Sequence, residues 1–213
     1  MTLQLTGLTP DELLNHFIKL HPELTKLEYA ARKNTPNTKK AVYPYQAAAL
    51  YHLAKPYNGG QALEIGTAYG YSCFYLASAM PKSKIVTLNA SEGEWVEDVK
   101  ILEKFRNVTC LHRLSWDYLA ESDGTAIYNF VFVDGDHRPG PIRRDFQYFN
   151  RLLTGGLIFF HDYSPLGSGR ECPPVYEAVN ELSKTLGRRP DVLVVDSNQV
   201  GMAGFIRREG EAV

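Results

Sequence analysis

Gln61-Ala62-Leu63-Glu64-Ile65-Gly66-Thr67-Ala68-Tyr69-Gly70-Tyr71 begins as a short apolar run and breaks at a glycine. Gln61 to Ile65 reads as a buried strand, Gly66 to Gly70 as a tight loop, and Tyr71 to Met80 as a helix. Glycine or alanine occupies three alternating positions, Gly66, Ala68 and Gly70, where a backbone must approach a ligand closely.

The same strand–helix alternation continues downstream. Lys84 to Leu88, Asn107 to Leu111, Ile127 to Val133 and Gly156 to Phe160 read as strands. Helices are expected from about Glu92 to Phe105 and from about Pro141 to Leu153. Short continuous apolar strands between helices imply a parallel sheet covered on both faces. The tail adds a helix near Pro174 to Leu186 and two strands, Val192 to Val195 and Gly201 to Ile206. Asp196-Ser197-Asn198-Gln199 joins them as a turn, so the last strand is expected to run antiparallel.

Upstream, Thr9-Pro10-Asp11-Glu12 is a capping box with proline in the first helical turn. Leu13, Leu14, Phe17, Ile18 and Leu20 form the apolar stripe behind it. Lys33 to Lys40 is polar and turn-rich, a mobile loop by composition. A second helix is expected from Tyr45 to Lys55, ended by Pro56-Tyr57-Asn58-Gly59-Gly60. The expectation is a doubly wound α/β fold, a mostly parallel seven-stranded sheet with an antiparallel last strand. Residues 1–56 would form a helical extension packed on a core of residues 57–213, one domain overall.

The 213 residues suit a single domain, and 44% apolar with 22% charged residues is a globular composition. A formal charge of -1 provides no global field to hold a polyanion, so nucleic acid is a disfavoured partner. No signal peptide and no spanning run of apolar residues is visible. The three cysteines, Cys73, Cys110 and Cys172, are odd in number and lack a Cys-x-x-Cys pair, which fits a reducing compartment. A cytoplasmic location without membrane contact is the expectation, and self-association is left open.

Ligands of open α/β sheets bind beyond the carboxyl ends of the strands, at the switch in strand order. Those positions here hold Glu64 and Gly66 to Gly70, then Asn89, Ser115 with Trp116, Asp134 to His137, and His161 to Tyr163. A dinucleotide fingerprint needs a small residue where Tyr71 stands, which disfavours NAD.

The runs Glu64–Ser72 and Val133-Asp134-Gly135-Asp136-His137, followed by Leu153–Tyr163 with its His161-Asp162, resemble the class I S-adenosylmethionine-dependent methyltransferases. More narrowly, they resemble the small O-methyltransferase-like members. The resemblance spans about half the chain. It implies that Glu64, Gly66, Thr67, Ala68, Tyr69, Gly70 and Ser72 form the cofactor loop, with Glu64 ordering it. It further implies that Ser115 and Trp116 line the adenine, and that Asp134 reaches the cofactor's amino group or a metal. The family usually ends its second strand with an acidic residue that holds the ribose hydroxyls. Asn89 stands there instead, and an amide accepts without charge assistance. Glu92 is near enough in sequence to substitute.

Asp134 and Asp162 follow adjacent central strands. Metal-dependent relatives place an aspartate at each position and an asparagine after the second, where this chain has Tyr163. The resemblance therefore suggests magnesium or another divalent cation on Asp134 and Asp162, completed by His161, Asp136 or water. His137 stands where those relatives carry a catalytic lysine. With an ordinary pKa near neutrality it is a candidate general base, and His161 is its rival. Tyr43, Tyr45, Tyr69, Tyr71 and Tyr163 are expected around the cleft entrance. Arg143-Arg144 reads as a solvated helix face, and Ser164 to Pro174 as a lid. The resulting expectation is O-methylation of a small molecule, a sugar or hydroxylated natural product. Other acceptor classes, or a non-catalytic cofactor-binding module, are the alternatives.

Overall fold

A single mixed sheet carries the site. Its strands are β1 (Leu3–Leu8), β2 (Gln61–Ile65), β3 (Lys84–Asn89), β4 (Val108–His112), β5 (Tyr128–Val133), β6 (Leu152–Phe160), β7 (Val192–Asp196) and β8 (Gly201–Ile206). The computed structural model describes residues 2–34, 42–90, 99–121, 125, 127–164 and 172–213. Strand order is β1-β7-β8-β6-β5-β2-β3-β4. β8 runs antiparallel to both of its neighbours, and every other pairing is parallel. The doubly wound class and the antiparallel last strand are as expected.

The strand count is not. Leu3–Leu8 is an eighth strand, paired in parallel with Val192–Asp196 at the sheet edge, and not the lead-in to a purely helical extension. Leu3 and Leu5 alternate with the more exposed Gln4 and Thr6, the period of a strand with one covered face. The capping box directly behind it does form: Thr9 Oγ1 accepts from the Glu12 amide, and Glu12 accepts from the Thr9 amide. It starts α1 (Pro10–Leu20). Next come α2 (Leu24–Asn34), which the sequence reading did not separate, and α3 (Pro44–Ala54).

α4 (Tyr71–Ala79) follows the glycine loop and is buried along almost its whole length. Only a 3₁₀ turn at Val99–Leu102 represents the helix expected from about Glu92. Glu103 to Phe105 are turn and irregular chain, while the part of that helix before Val99, Glu92 included, most of the Lys33–Lys40 loop and most of the Ser164–Pro174 segment lie outside the described residues. α5 (Ser115–Ala120) follows β4, where no helix is expected from the sequence. The Pro141–Leu153 helix is α6 (Pro139–Asp145) followed by a 3₁₀ stretch, Phe146–Arg151. α7 (Pro173–Leu186) ends at Gly187, which is left-handed at φ 65°.

Alternation along the central strands divides the core into two layers. Phe130, Phe132 and Phe159 face α1, α3 and α4 through Phe17, Leu50, Leu53 and Phe74. Val131, Val133, Ile158 and Phe160 face α6 and α7 through Ile142, Val175, Val179 and Leu182. Both faces of the sheet are thus buried, which explains the unbroken apolar runs in its strands. The order reverses between β2 and β5, and at that switch point the Asp134 amide donates to the Ile65 carbonyl at 2.8 Å.

Candidate active site

The glycine loop is shaped by close contacts that leave no room for side chains. Gly66 has φ 101°, and a Cβ there would lie 1.9 Å from the Asp134 carbonyl oxygen. Its amide and that of Thr67 both donate to the Leu88 carbonyl, tying the loop to the end of β3. Ala68 is left-handed at φ 40°, uncommon for a residue with a Cβ. Gly70, at φ 76°, starts α4. Below the loop, Thr67 and Thr87 hydroxyls lie 2.6 Å apart, and Thr87 donates to Glu64 at 2.5 Å. Glu64 is fully buried, and burial pushes its carboxyl up to about 7, against the pull of the surrounding hydroxyls.

A cavity of about 460 Å³ opens over this loop, lined by Gly66, Ala68, Asn89, Ser115, Trp116 and Asp134 among others. A smaller pocket of about 90 Å³ shares Gly66, Ala68 and Asp134 and adds Thr67, Tyr69 and Ser72. The larger volume lies within the range of small-ligand sites. Of the residues expected in the cofactor loop, Glu64 and Gly70 line neither space: Glu64 sits beneath the loop, and Gly70 turns the chain into α4.

Asp134, His137, His161 and Asp162 come together beside these cavities: Asp134 lines both, whereas His137, His161 and Asp162 line neither. His161 Nδ1 lies 3.0 Å from Asp134 Oδ1 and 3.2 Å from Asp162 Oδ1. Despite those distances, this buried nitrogen has hydrogen-bond geometry to neither carboxylate. His137 Nδ1 lies 3.4 Å from Asp162 Oδ2, and its Nε2 3.6 Å from Asp134 Oδ1. Asp162 is left-handed at φ 55°, a backbone outlier of the kind that clusters at functional sites. Burial alone would raise the Asp134 carboxyl, but the two imidazoles overcome it and bring it down to about 2. The carboxylates in turn raise both histidines, Asp134 being the main cause at His137 and outweighing burial at His161.

Residues 63–163, which contain the loop, Asp134 and both histidines, match the family model described as "Methyltransferase domain". The matched stretch is 101 of the 213 residues, slightly under half of the chain. The whole fold is similar to an O-methyltransferase of Streptomyces achromogenes involved in tomaymycin synthesis, solved in complex with SAM. That pair is 22% identical with a TM-score of 0.63, covering 90% of this chain and 94% of the other. It is also similar to an SAH-bound methyltransferase of Podospora anserina (18% identity, TM-score 0.65, 93% and 94% covered). A third is an O-methyltransferase of Bacillus cereus in complex with SAH (20% identity, TM-score 0.58, 87% and 91% covered).

Within the matched segment, Asp134, His161 and Asp162 each offer one atom, all within 4.8 Å of one another. Asp136 does not join them, because it holds the Arg138 guanidinium and amide at 2.5–3.0 Å. Tyr163 is buried and packs on Tyr176 at 5.2 Å between ring centroids. The expected tyrosine entrance is only partly assembled. Tyr69 and Tyr71 line the small pocket, but Tyr45 is a core residue whose hydroxyl donates to the Val200 carbonyl. The Arg143-Arg144 face is not simply solvated: Arg143 pairs with Glu181, and Arg144 lies over the Trp116 ring at 5.1 Å.

Two participants escaped the sequence reading. Gln46 is fully buried on α3, and its Oε1 lies 3.0 Å from His161 Nε2 while accepting the Tyr43 amide at 2.8 Å. Nε2 is therefore the protonated nitrogen facing Gln46, and Nδ1 is the one presented to the carboxylates. A lone amide in the apolar helix Pro44–Ala54 was the available signal. Asp145 is the second: it is buried, lines the large cavity and accepts from Ser115 Oγ at 2.5 Å.

Proposed function

We propose that this protein transfers a methyl group from S-adenosylmethionine to an oxygen of a small molecule. One observation carries the reading: a single cavity passes from Asn89, Ser115 and Trp116 over Gly66 and Ala68 to Asp134, which in turn adjoins His137 and His161. A nucleoside linked to an amino acid has that elongated, two-ended shape. Asn89 is placed for the ribose hydroxyls, Ser115 and Trp116 for the base, and Gly66 to Gly70 with Ser72 for the methionine portion. S-adenosylmethionine supplies a sulfonium-bound methyl group, and transfer is an in-line displacement by the acceptor oxygen.

The chain's own contribution is then positioning and proton removal. His137 is the more accessible histidine, about one-third exposed, and is assigned as the base that takes the acceptor's hydroxyl proton. Asp134 raises it to about 10, so only its neutral form can act and turnover should rise with pH. His161 is deeper, 10% exposed, and anchored by Gln46, so it shapes the polar floor. Asp134 and Asp162 lie 3.0–3.6 Å from both imidazoles and favour their charged forms.

The same floor suits a divalent cation. The buried, unpartnered Nδ1 of His161 and one oxygen each from Asp134 and Asp162 form a ready mixed donor set. Bound there, a cation would polarise the acceptor hydroxyl and offset the paired carboxylates. The nitrogen ligand favours a transition metal over magnesium.

Calorimetric titration with S-adenosylhomocysteine, with and without magnesium or manganese, tests the cofactor assignment. An acceptor screen following release of S-adenosylhomocysteine tests the chemistry. Saturable binding and acceptor-dependent turnover are expected. Binding without turnover on any hydroxylated acceptor would leave a cofactor-binding module in place of an enzyme.

A further inference from the structure

One carboxylate of the large cavity is left over from the assignments above. Asp145, the last residue of α6, is 2% exposed, whereas Asp134 and Asp136, which also line the cavity, are only partly buried. Its Oδ1 accepts the Ser115 hydroxyl at 2.5 Å. Among the described residues no lysine, arginine or histidine pairs with it. Burying a carboxylate with a single neutral hydrogen bond is costly, and such groups concentrate where a ligand completes them.

The surroundings say which part of a ligand that is. Ser115 is locked from behind, its carbonyl accepting the Tyr148 hydroxyl at 2.6 Å. Beside it stands the Trp116 ring, backed by the Arg144 guanidinium. Leu114, Leu88 and Pro141 supply apolar wall. A flat, apolar-faced group fits between these walls, and a buried acceptor at its edge requires a donor. Ribose is the wrong shape for such a slot, and Asn89 already stands at the neighbouring strand end.

Resting on the cofactor reading above, we propose that Asp145 specifies the cofactor's base by accepting a hydrogen bond from the exocyclic 6-amino group of adenine. The Ser115 hydroxyl holds one carboxylate oxygen, which leaves the other for the base. Burial pushes the Asp145 carboxyl up to about 7, against the pull of the Ser115 hydroxyl, so the accepting carboxylate predominates above that pH. There a 6-oxo purine presents an acceptor at the same place and would face the carboxylate without a proton between them.

Titration of the full chain at about pH 8.5, where Asp145 is ionised, with S-adenosylhomocysteine and with its 6-oxo analogue, S-inosylhomocysteine, separates the possibilities. Wild type is expected to bind the adenosyl compound ten- to hundredfold more tightly, about the range for a hydrogen bond to a charged group. Asp145→Asn keeps an oxygen for Ser115 and adds an amide donor that suits a 6-oxo group. It should lower or reverse the preference, an outcome that mere structural damage does not produce. Equal affinities in wild type would overturn the assignment whether or not the variant folds. So would an unchanged preference in Asp145→Asn. Failure of the adenosyl compound to bind at all would remove the cofactor reading and this inference together, whereas binding without discrimination removes only the inference.

Discussion

The contact between Gly66 and Asp134 is the tightest point of the proposed cofactor site, and Gly66→Ala probes it directly. The added Cβ would meet the Asp134 carbonyl oxygen at 1.9 Å and its carbonyl carbon at 2.6 Å, both backbone atoms of β5's end. Neither can swing aside as a side-chain tip can. Holding a non-glycine residue at φ 101° adds a second cost of about 1–3 kcal/mol. Forcing the extra carbon into a packed interface adds about 1–3 kcal/mol. Together these predict a loss of about 2–6 kcal/mol, or roughly 5–20 °C in melting temperature for a domain of this size. Relief by moving the loop away from Asp134 would separate the two walls of the cavity, so S-adenosylhomocysteine affinity should fall as well. Gly140→Ala is the comparison, because nothing lies within 4 Å of its would-be Cβ and its backbone is in α6. That variant should melt within a few degrees of wild type or higher. A Gly66→Ala protein with wild-type melting and wild-type S-adenosylhomocysteine affinity would refute the packing argument.

Gln46→Leu removes the acceptor of the buried His161 Nε2–H, a loss of about 1–3 kcal/mol, and of the Tyr43 amide, a further loss of about 0.5–1.5 kcal/mol, but also removes the unpartnered Gln46 Nε2, an offset of about 1–3 kcal/mol. Stability should therefore fall only by about 0.5–1.5 kcal/mol while turnover falls at least tenfold; wild-type turnover would exclude a role for this contact. Glu64 has a folded-state pKa raised to about 7 from an ordinary 4.5, so its protonated form stabilises the fold below 4.5 and that contribution is lost as pH rises through 7. Glu64→Gln should accordingly gain stability relative to wild type between pH 5 and pH 8, by about 1–3 kcal/mol at the upper end. Denaturant melts at both pH values measure this, and a difference independent of pH would contradict it. Asp162→Asn should weaken manganese binding at least tenfold by calorimetry while leaving S-adenosylhomocysteine affinity within a few-fold; equal manganese affinity would move the cation elsewhere.

How much of this was legible beforehand depended on whether the signal was local. Val131, Val133, Ile158 and Phe160 sit in continuous apolar runs, and such runs are diagnostic when both faces of a sheet are covered. The Gly66 loop could be read because its conformation is demanded locally by φ and by close contact. β1 was missed although Leu3 and Leu5 alternate with polar residues, because six residues before a strong helix start carry little weight without knowledge of the β7 edge beside them. Strand order was beyond reach for the same reason: nothing local to Gly201–Ile206 says that it inserts between β6 and β7. At the site, residues directly after strands were found, whereas Gln46 and Asp145 were not. They reach the cluster from α3 and from the end of α6, through contacts separated by 115 and 30 positions in the chain. Burial of a polar side chain is a property of the packed fold, and the sequence shows only the isolated amide or acid.

Occupancy of the cavity between Asn89 and Asp134 decides whether this site is a cofactor site. The most direct measurement is calorimetric titration of the wild-type protein with S-adenosylhomocysteine, alongside NAD. Saturable one-to-one binding of S-adenosylhomocysteine, and none of NAD, is the predicted result. Absence of S-adenosylhomocysteine binding with and without divalent cation would contradict it, and would mean that Asn89 in place of a carboxylate has cost this site its cofactor.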